Sequence, residues 1–279
     1  MKNRNQSGFH VVELAVVLVI LGVIGFVGYT VFASKKDGHS SKENVISKIL
    51  NSDNKNGAGE LARDCKGSGT VQLQHSPLDL KDVGSVTPIG LLAGAHVTPI
   101  DHLYFYPKDM TNRDAAPVYA MADGYIVSYS ERTQNTDTGT AKKGEYQLYF
   151  QHNCSFYTYF DLMTSMEPSL AKQIKDQGGK DLHIPVKAGQ VVGRVGAQSL
   201  DTAVYNFDIT LKGFLNPDSY KQESVKLHTD DFFKYWNEPL KGQLLAMNIR
   251  KFEPYGGKID YDIDGRLIGN WFEEGTNGY

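Results

Sequence analysis

Cysteine is scarce in this 279-residue chain, which has only Cys65 and Cys154. Two thiols so far apart, without metal-type spacing, exclude a cysteine-built metal site. They either stay unpaired or form one bridge across a long loop. Outside a membrane the bridge is the expectation, at about 4 kcal/mol. Excess charge of one sign is missing too: 29 Lys and Arg oppose 32 Asp and Glu, a formal net charge of −3. That balance excludes a strongly basic nucleic-acid binder. Tryptophan occurs twice, whereas 16 tyrosines and 13 phenylalanines weight the composition toward β-structure. With 41% apolar and 22% charged residues the chain is globular in composition, long enough for one or two domains.

The longest apolar run is residues 14–33, which carry no formal charge and match the length of a membrane-spanning helix. Glu13 stands at its edge, where an uncompensated carboxylate costs a few kcal/mol. Ahead of it lie Lys2, Arg4, Ser7, Gly8 and Phe9. Gly8-Phe9 followed by Glu13 resembles the class III signal of type IV pilins and pseudopilins. The resemblance implies cleavage between Gly8 and Phe9 by a prepilin peptidase, and methylation of the new terminus. It also implies a role for Glu13 in pairing with a sister subunit's amine. His10 departs from the commoner threonine. An ordinary single-span anchor is the plainer alternative; a secretory signal would place its cleavage site after the apolar region. Losing Lys2 and Arg4 with the leader takes the net charge to −5.

The expected organisation is a leader at 1–8 and a helix over 9–52, membrane-spanning to about 33. A linker and disulfide-stapled extension follow at 53–85, a β-domain at 86–214 and a small module at 215–279. The fold class is α+β: a long N-terminal hydrophobic helix and a mainly antiparallel β ectodomain. Residues 42–50 have helical spacing, and 51–59 are Asn- and Gly-rich. A short strand is expected at 70–74. Alternation over 118–130 around Asp123-Gly124 predicts a hairpin. Residues 145–150 and 155–162 read as a second strand pair, 133–144 as an exposed loop, and 170–178 as a brief helix. Further strands are expected within 184–196 and 203–211.

The succession APVYAMADGYIV, YQLYFQHNCSFYTYFDL, VKAGQVVGRVG and VYNFDITL is similar to M23-type, LytM-like metallopeptidases. The glycine-framed third block also occurs in lipoyl carriers, but the chain has no Ala-Met-Lys attachment sequence. The family's chemistry implies zinc held by two histidines and an aspartate, with two further histidines on water and transition state. Asp101 falls at the aspartate position, in HVTPIDH. Val97 stands at the first histidine position, with His96 and His102 each one residue out of place. Asp161 stands at the next histidine position, in YFDL, and Val204 and Asn206 at the last two. Valine cannot ligate a metal, and asparagine suits zinc poorly. The resemblance therefore implies a degenerate, non-catalytic domain with no catalytic residue and no zinc. Its groove residues are expected to be Asp101, His102, Asp161, Asn206 and Asp208, either binding a ligand or remaining as hydrogen-bonded remnants. His152 reads as structural.

In the last module Asp230 or Asp231 is expected to cap a short helix with Phe232, Phe233 and Trp236 inward. Asp260, Asp262, Asp264 and Gly265 form the first half of an EF-hand-type calcium loop, but position twelve is Trp271. The two readings are a calcium site and a solvated acidic turn. Strands are expected around Ile259–Ile263 and over 267–272. Together these features imply a minor or tip pilin-like subunit that displays a binding domain for adhesion. Its expected partners are sister pilins, the prepilin peptidase, and peptidoglycan or a host-surface ligand. Its expected location is the inner membrane, then the cell surface. Alternatives are a membrane-tethered zinc endopeptidase acting on cell-wall peptides and a pseudopilin of a secretion system.

Overall fold

The computed structural model describes residues 64–92, 96, 98–134 and 141–275, all within one compact unit. The processing signal Gly8, Phe9 and Glu13, the helical segments at 14–33 and 42–50, and Val97 lie outside the described residues. Among the described residues no helix is long and apolar enough to cross a membrane.

Among the described residues ten strands form two antiparallel sheets. The larger has seven strands: β1 (Val83–Thr87), β2 (Leu103–Pro107), β10 (Leu200–Asn206), β6 (Phe156–Met163), β5 (Ala141–Gln151), β4 (Gly124–Gln134) and β8 (Ile184–Val186), in that spatial order. The smaller has β3 (Ala116–Tyr119), β9 (Val191–Val195) and β7 (Ser165–Met166). The chain repeatedly changes sheet, from β3 to β4, β6 to β7, and β8 through β9 to β10. Helix α1 (Pro168–Asp176) buries Leu170 and Ile174, and α2 (Leu240–Met247) buries Leu244.

Side chains alternate along a strand, so each residue type selects a face. On β6, Phe156 and Phe160 join a core shared with Val118 of β3 and Val192 and Val195 of β9. Tyr157 and Tyr159 point the other way, into a second cluster with Tyr149 and Tyr205. Seven of the eight β6 residues are buried, because both faces of the sheet are covered.

Residues 215–275 contribute to the same core as the strands, through Phe232, Phe233, Tyr235, Trp236, Leu244 and Ile259. Asp231 caps the 3-10 turn Phe232–Tyr235 by accepting from the Phe233 amide at 2.9 Å. The 85/86 boundary falls inside β1, whose Val86 bridges to Asn248.

Several expected elements differ. β3 and β4, which begins at Gly124 itself, do not pair: β3 pairs with β9, and β4 with β5 and β8. The dipeptide marks a change of sheet, and the Asp123 carboxylate accepts from the Ala188 amide at 2.9 Å. The expected loop at 133–144 is shorter, since β4 runs to Gln134 and β5 starts at Ala141. The strand expected at 70–74 is one bridge, Leu73 to Trp236. Residues 259–272 form no strand; an Ile263–Ile268 backbone contact closes a turn instead. The pairing of β5 with β6, helix α1 and the strands within 184–196 match the sequence reading, whereas the strand expected at 203–211 starts three residues earlier, at Leu200, and ends at Asn206.

Cys65 and Cys154 form a disulfide across 89 residues of chain. Hydrogen bonds dock the extension beside it. The Gly69 amide donates to Asp208 Oδ2 at 2.7 Å, and Asn153 Nδ2 donates to the Gly69 carbonyl at 2.8 Å. Opening a loop this long removes a constraint on the unfolded chain. Replacing both cysteines with serine is expected to lower unfolding stability by about 4 kcal/mol, read from denaturant midpoints with and without reductant.

Candidate functional site

The second face of the large sheet carries the chemistry. Its floor is aromatic, with Tyr149 on β5, Tyr157 and Tyr159 on β6 and Tyr205 on β10. Over it lies the 3-10 segment Pro217–His228, whose Val225 joins the same cluster. Between floor and cover sit Asp101, His102, Asp161, Asp201 and Lys226, none more than 9% exposed.

His102, just before β2, lies between two carboxylates. Its Nδ1 is 3.2 Å from Asp101 Oδ1, and its Nε2 is 3.4 Å from Asp201 Oδ2, an ion-pair contact outside hydrogen-bond alignment. Asp101 also accepts from the Tyr205 hydroxyl at 3.1 Å, and Lys226 Nζ stands 3.8 Å from Asp101 Oδ1. Lys226 donates to the Pro99 carbonyl at 2.9 Å and pairs with Glu223 at 2.9 Å; Glu223 accepts from Thr98 Oγ1. The cover is thus fastened to residues 98–101 by charge and hydrogen bond. Asp161, cross-strand from Asp201, is clamped by both Arg132 guanidinium nitrogens and accepts from the Tyr159 hydroxyl at 2.8 Å. Arg132 also lies 3.6 Å from Glu145.

Burial pushes Asp101 toward the neutral acid, but the Lys226 ammonium and the His102 contact outweigh it and hold the carboxyl below its usual range. Burial likewise opposes charge on Asp161, and Arg132 overcomes it. Asp201 lacks so strong a partner. Burial raises it to about 7, against the opposing pull of His102. Burial disfavours charge on His102, yet Asp101 and Asp201 carry it above its ordinary value. Both His102 nitrogens face carboxylates, so the imidazolium, with a donor at each nitrogen, matches the surroundings.

The sequence-predicted groove residues do not all meet. Asp101, His102 and Asp161 belong to this network. Asn206 does not: alternation sends Val204 into the opposite core, and Asn206 toward the Tyr235 hydroxyl at 3.4 Å. Asp208 is beyond the strand, accepting from the Ser155 hydroxyl and the Gly69 amide. On β10 the residues facing the network are Asp201, Ala203 and Tyr205. Sequence reading missed Asp201, Arg132 and Lys226. The period-two spacing of Asp201 and Tyr205 was a usable signal for the first; nothing local marked the other two. His152 lies apart, its Nδ1 donating to the Asp123 carbonyl and its Nε2 accepting from the Thr158 hydroxyl, each at 2.8 Å. Burial lowers it to about 4, so it is neutral.

Asp260 accepts from the Gly213 amide at 2.9 Å and from Lys258. Asp262 accepts from the Leu215 amide at 3.0 Å and from Asn270. These two carboxylates join the C-terminal segment to 213–215, and Asp264 is exposed. Among the described residues no group of three His, Cys, Asp or Glu side chains is placed to hold a metal.

No family model matches the chain, and no curated protein matches it. Among solved structures it is similar to Helicobacter pylori Csd3, at 17% identity and a TM-score of 0.31, over 49% of this chain and 32% of that one. It is similar to a zinc containing peptidase from Vibrio cholerae, at 18% identity and a TM-score of 0.34, over 49% of this chain and 37% of that one. A third is the catalytic domain of the antimicrobial peptidase lysostaphin from Staphylococcus simulans. There the identity is 17% and the TM-score 0.31, over 48% of this chain and 87% of that one. The match spans about a third of the first two structures.

The network predicts a pH dependence. Asp201, raised from 3.8 to about 7, and His102, raised above 6.5, bind protons more tightly folded than unfolded. Their stabilisation is present at low pH. It is lost as pH rises, between 3.8 and about 7 for Asp201 and through the raised value for His102. Asp101 and Asp161, held low, lose theirs only as pH falls below 3.8. The melting temperature is therefore expected to decline between about pH 5 and pH 8, and Asp201→Asn to flatten that decline by several degrees. Thermal unfolding across a pH series checks this. Lys226→Ala, which leaves Asp101 buried without its ammonium, is expected to cost about 3 kcal/mol in denaturant unfolding.

Proposed function

We propose that this chain is a minor, surface-displayed pilin-like subunit whose ectodomain is a LytM-like β-domain without peptidase activity. The observation that carries the second half is the surroundings of Asp101, the only residue in its aligned place among the family's five. Metallopeptidase chemistry needs a cation at such a carboxylate, with an open position for water. Beside Asp101 stand instead the Lys226 ammonium at 3.8 Å and a His102 whose two nitrogens both face carboxylates. A second cation there would be repelled by the first, and each imidazole nitrogen already faces a carboxylate. The cover segment Pro217–His228 lies over the face that a substrate would have to reach. The residues present do not fit zinc.

Support for the pilin half is the N-terminal sequence. Gly8-Phe9 precedes Glu13 and a charge-free stretch to residue 33. A carboxylate at the edge of such a run is costly alone and tolerable when a neighbouring subunit's amine neutralises it. Assembly then gives the acid its partner, and the ectodomain is carried outward as the display portion. In this reading the leader is removed at the inner membrane, and sister subunits are the partners of the helix. The output is adhesion rather than cleavage.

Two measurements test the halves separately. Terminal sequencing of protein from sheared filaments is expected to begin at Phe9, and Glu13→Ala to prevent incorporation; an intact residue 1 on the mature protein overturns the pilin half. Metal analysis with a peptidoglycan-hydrolysis assay is expected to find neither stoichiometric zinc nor cleavage; finding both restores a tethered endopeptidase.

A further inference from the structure

One open cleft lies away from the buried network, in the turn that follows Asp262. It has a volume of about 430 Å³ and is lined by residues from 215–216 and from 262–272. That volume lies within the range of about 300–1,000 Å³ usual for small-ligand sites. Its most exposed large ring is Trp271, 68% accessible, while the chain's other tryptophan, Trp236, is 3% accessible. An exposed indole in a mobile loop would mean little, but this one is held. Trp271 Nε1 donates to the Leu267 carbonyl at 3.1 Å. The turn beneath it is closed by contacts from the Ile263 amide to Ile268 and from the Arg266 amide to Ile263. Gly265 supplies the left-handed conformation, with φ of 69°. Asp262 pins the base to Leu215 and Asn270. A ring fixed before binding loses little freedom on binding.

Around the indole the same cleft is lined by Asn216, Asp264 and Arg266, all exposed. None of these three side chains has a hydrogen bond or ion pair among the described residues. The combination is selective. A purely apolar occupant would strip water from a carboxylate, a guanidinium and an amide without replacing its hydrogen bonds, which is costly. An ionic occupant of either sign would be attracted by one of Asp264 and Arg266 and repelled by the other. A neutral polyol with one apolar face satisfies every group. Its hydroxyls both donate to Asp264 and accept from Arg266, and its polarised C–H face lies on the negative face of the indole.

We propose that this cleft is a saccharide-binding site: a pyranose ring stacks on Trp271 while Asp264, Arg266 and Asn216 take its hydroxyls. The inference does not depend on the N-terminal signal or on the loss of peptidase activity.

The test uses the full-length chain in a detergent without a sugar headgroup, titrated with glucose, galactose, mannose, N-acetylglucosamine and their β-linked oligomers. Trp271 is the accessible emitter and Trp236 the buried one. Binding is therefore expected to shift the emission to the blue and to reduce acrylamide quenching for at least one saccharide. Saturation-transfer NMR on the sugar protons is expected to show the signal lost in Trp271→Ala, retained in part in Trp271→Phe, and weakened about tenfold in Asp264→Ala and Arg266→Ala. Each variant should keep the buried Trp236 emission and the parent melting temperature. Three results overturn the proposal: no member of the panel protects Trp271; phospholipid vesicles protect it and saccharides do not; or protection rises with protein concentration alone, which would make the patch a contact between copies.

Discussion

One buried contact organises the molecule: an ammonium, Lys226, brought by a 3-10 segment onto a carboxylate, Asp101, just before β2 of the large sheet. A carboxylate removed from water needs compensating charge and hydrogen bonds. Here the compensation comes from three elements, through Lys226, His102 and the Tyr205 hydroxyl. That demand ties the Pro217–His228 segment to residues 98–101 and covers the second face of β6 and β10. With both faces covered, the tyrosine floor becomes a second core rather than an open surface.

The network has consequences for what the sheet can do. Asp161 and Arg132 neutralise each other, and Tyr159 and Gln147 take the remaining carboxylate positions. Asp201 is left as the weakly compensated acid, which is why burial raises it so far. The ionisable groups of this face are directed at one another, and through Lys226 and Glu223 they hold the cover on residues 98–101. The open chemistry lies at the C-terminal turn, where Trp271, Asp264 and Arg266 meet solvent.

That turn is attached through the first two carboxylates of its acidic sequence. Asp260 accepts from the Gly213 backbone, which approaches so closely that a Cβ at 213 would meet the Asp260 carbonyl oxygen at 1.9 Å. Asp262 holds Leu215 and Asn270. The Cys65–Cys154 disulfide and the Asp208 carboxylate attach the extension. Both additions to the strand framework are therefore fastened by short polar links. The segment from 228 to 259 is held by its aromatic residues in the shared core.

Much of this was legible in order along the chain. SFYTYFDL was legible as a strand, though not that its two faces enter different clusters, and the glycine-framed block was legible as the strands within 184–196. The lone pair of cysteines left one bridge to form. The C-terminal acids were legible as a turn, though not as anchors for 213–215. What sequence could not decide was which strand lies beside which. Asp123-Gly124 reads as a hairpin locally, but β3 finds its partner in β9, some seventy residues on. A one-residue difference in register moved Asn206 out of the expected groove and put Asp201 in, because the side-chain period of a strand is two. Lys226 and Asp101 are 125 residues apart, and no local pattern links them. The sequence by itself determined residue chemistry and strand periodicity, since both are local properties of the chain. Only the tertiary structure decided which charges face each other and which face of the sheet is closed, because burial and partnership are made by segments distant along it.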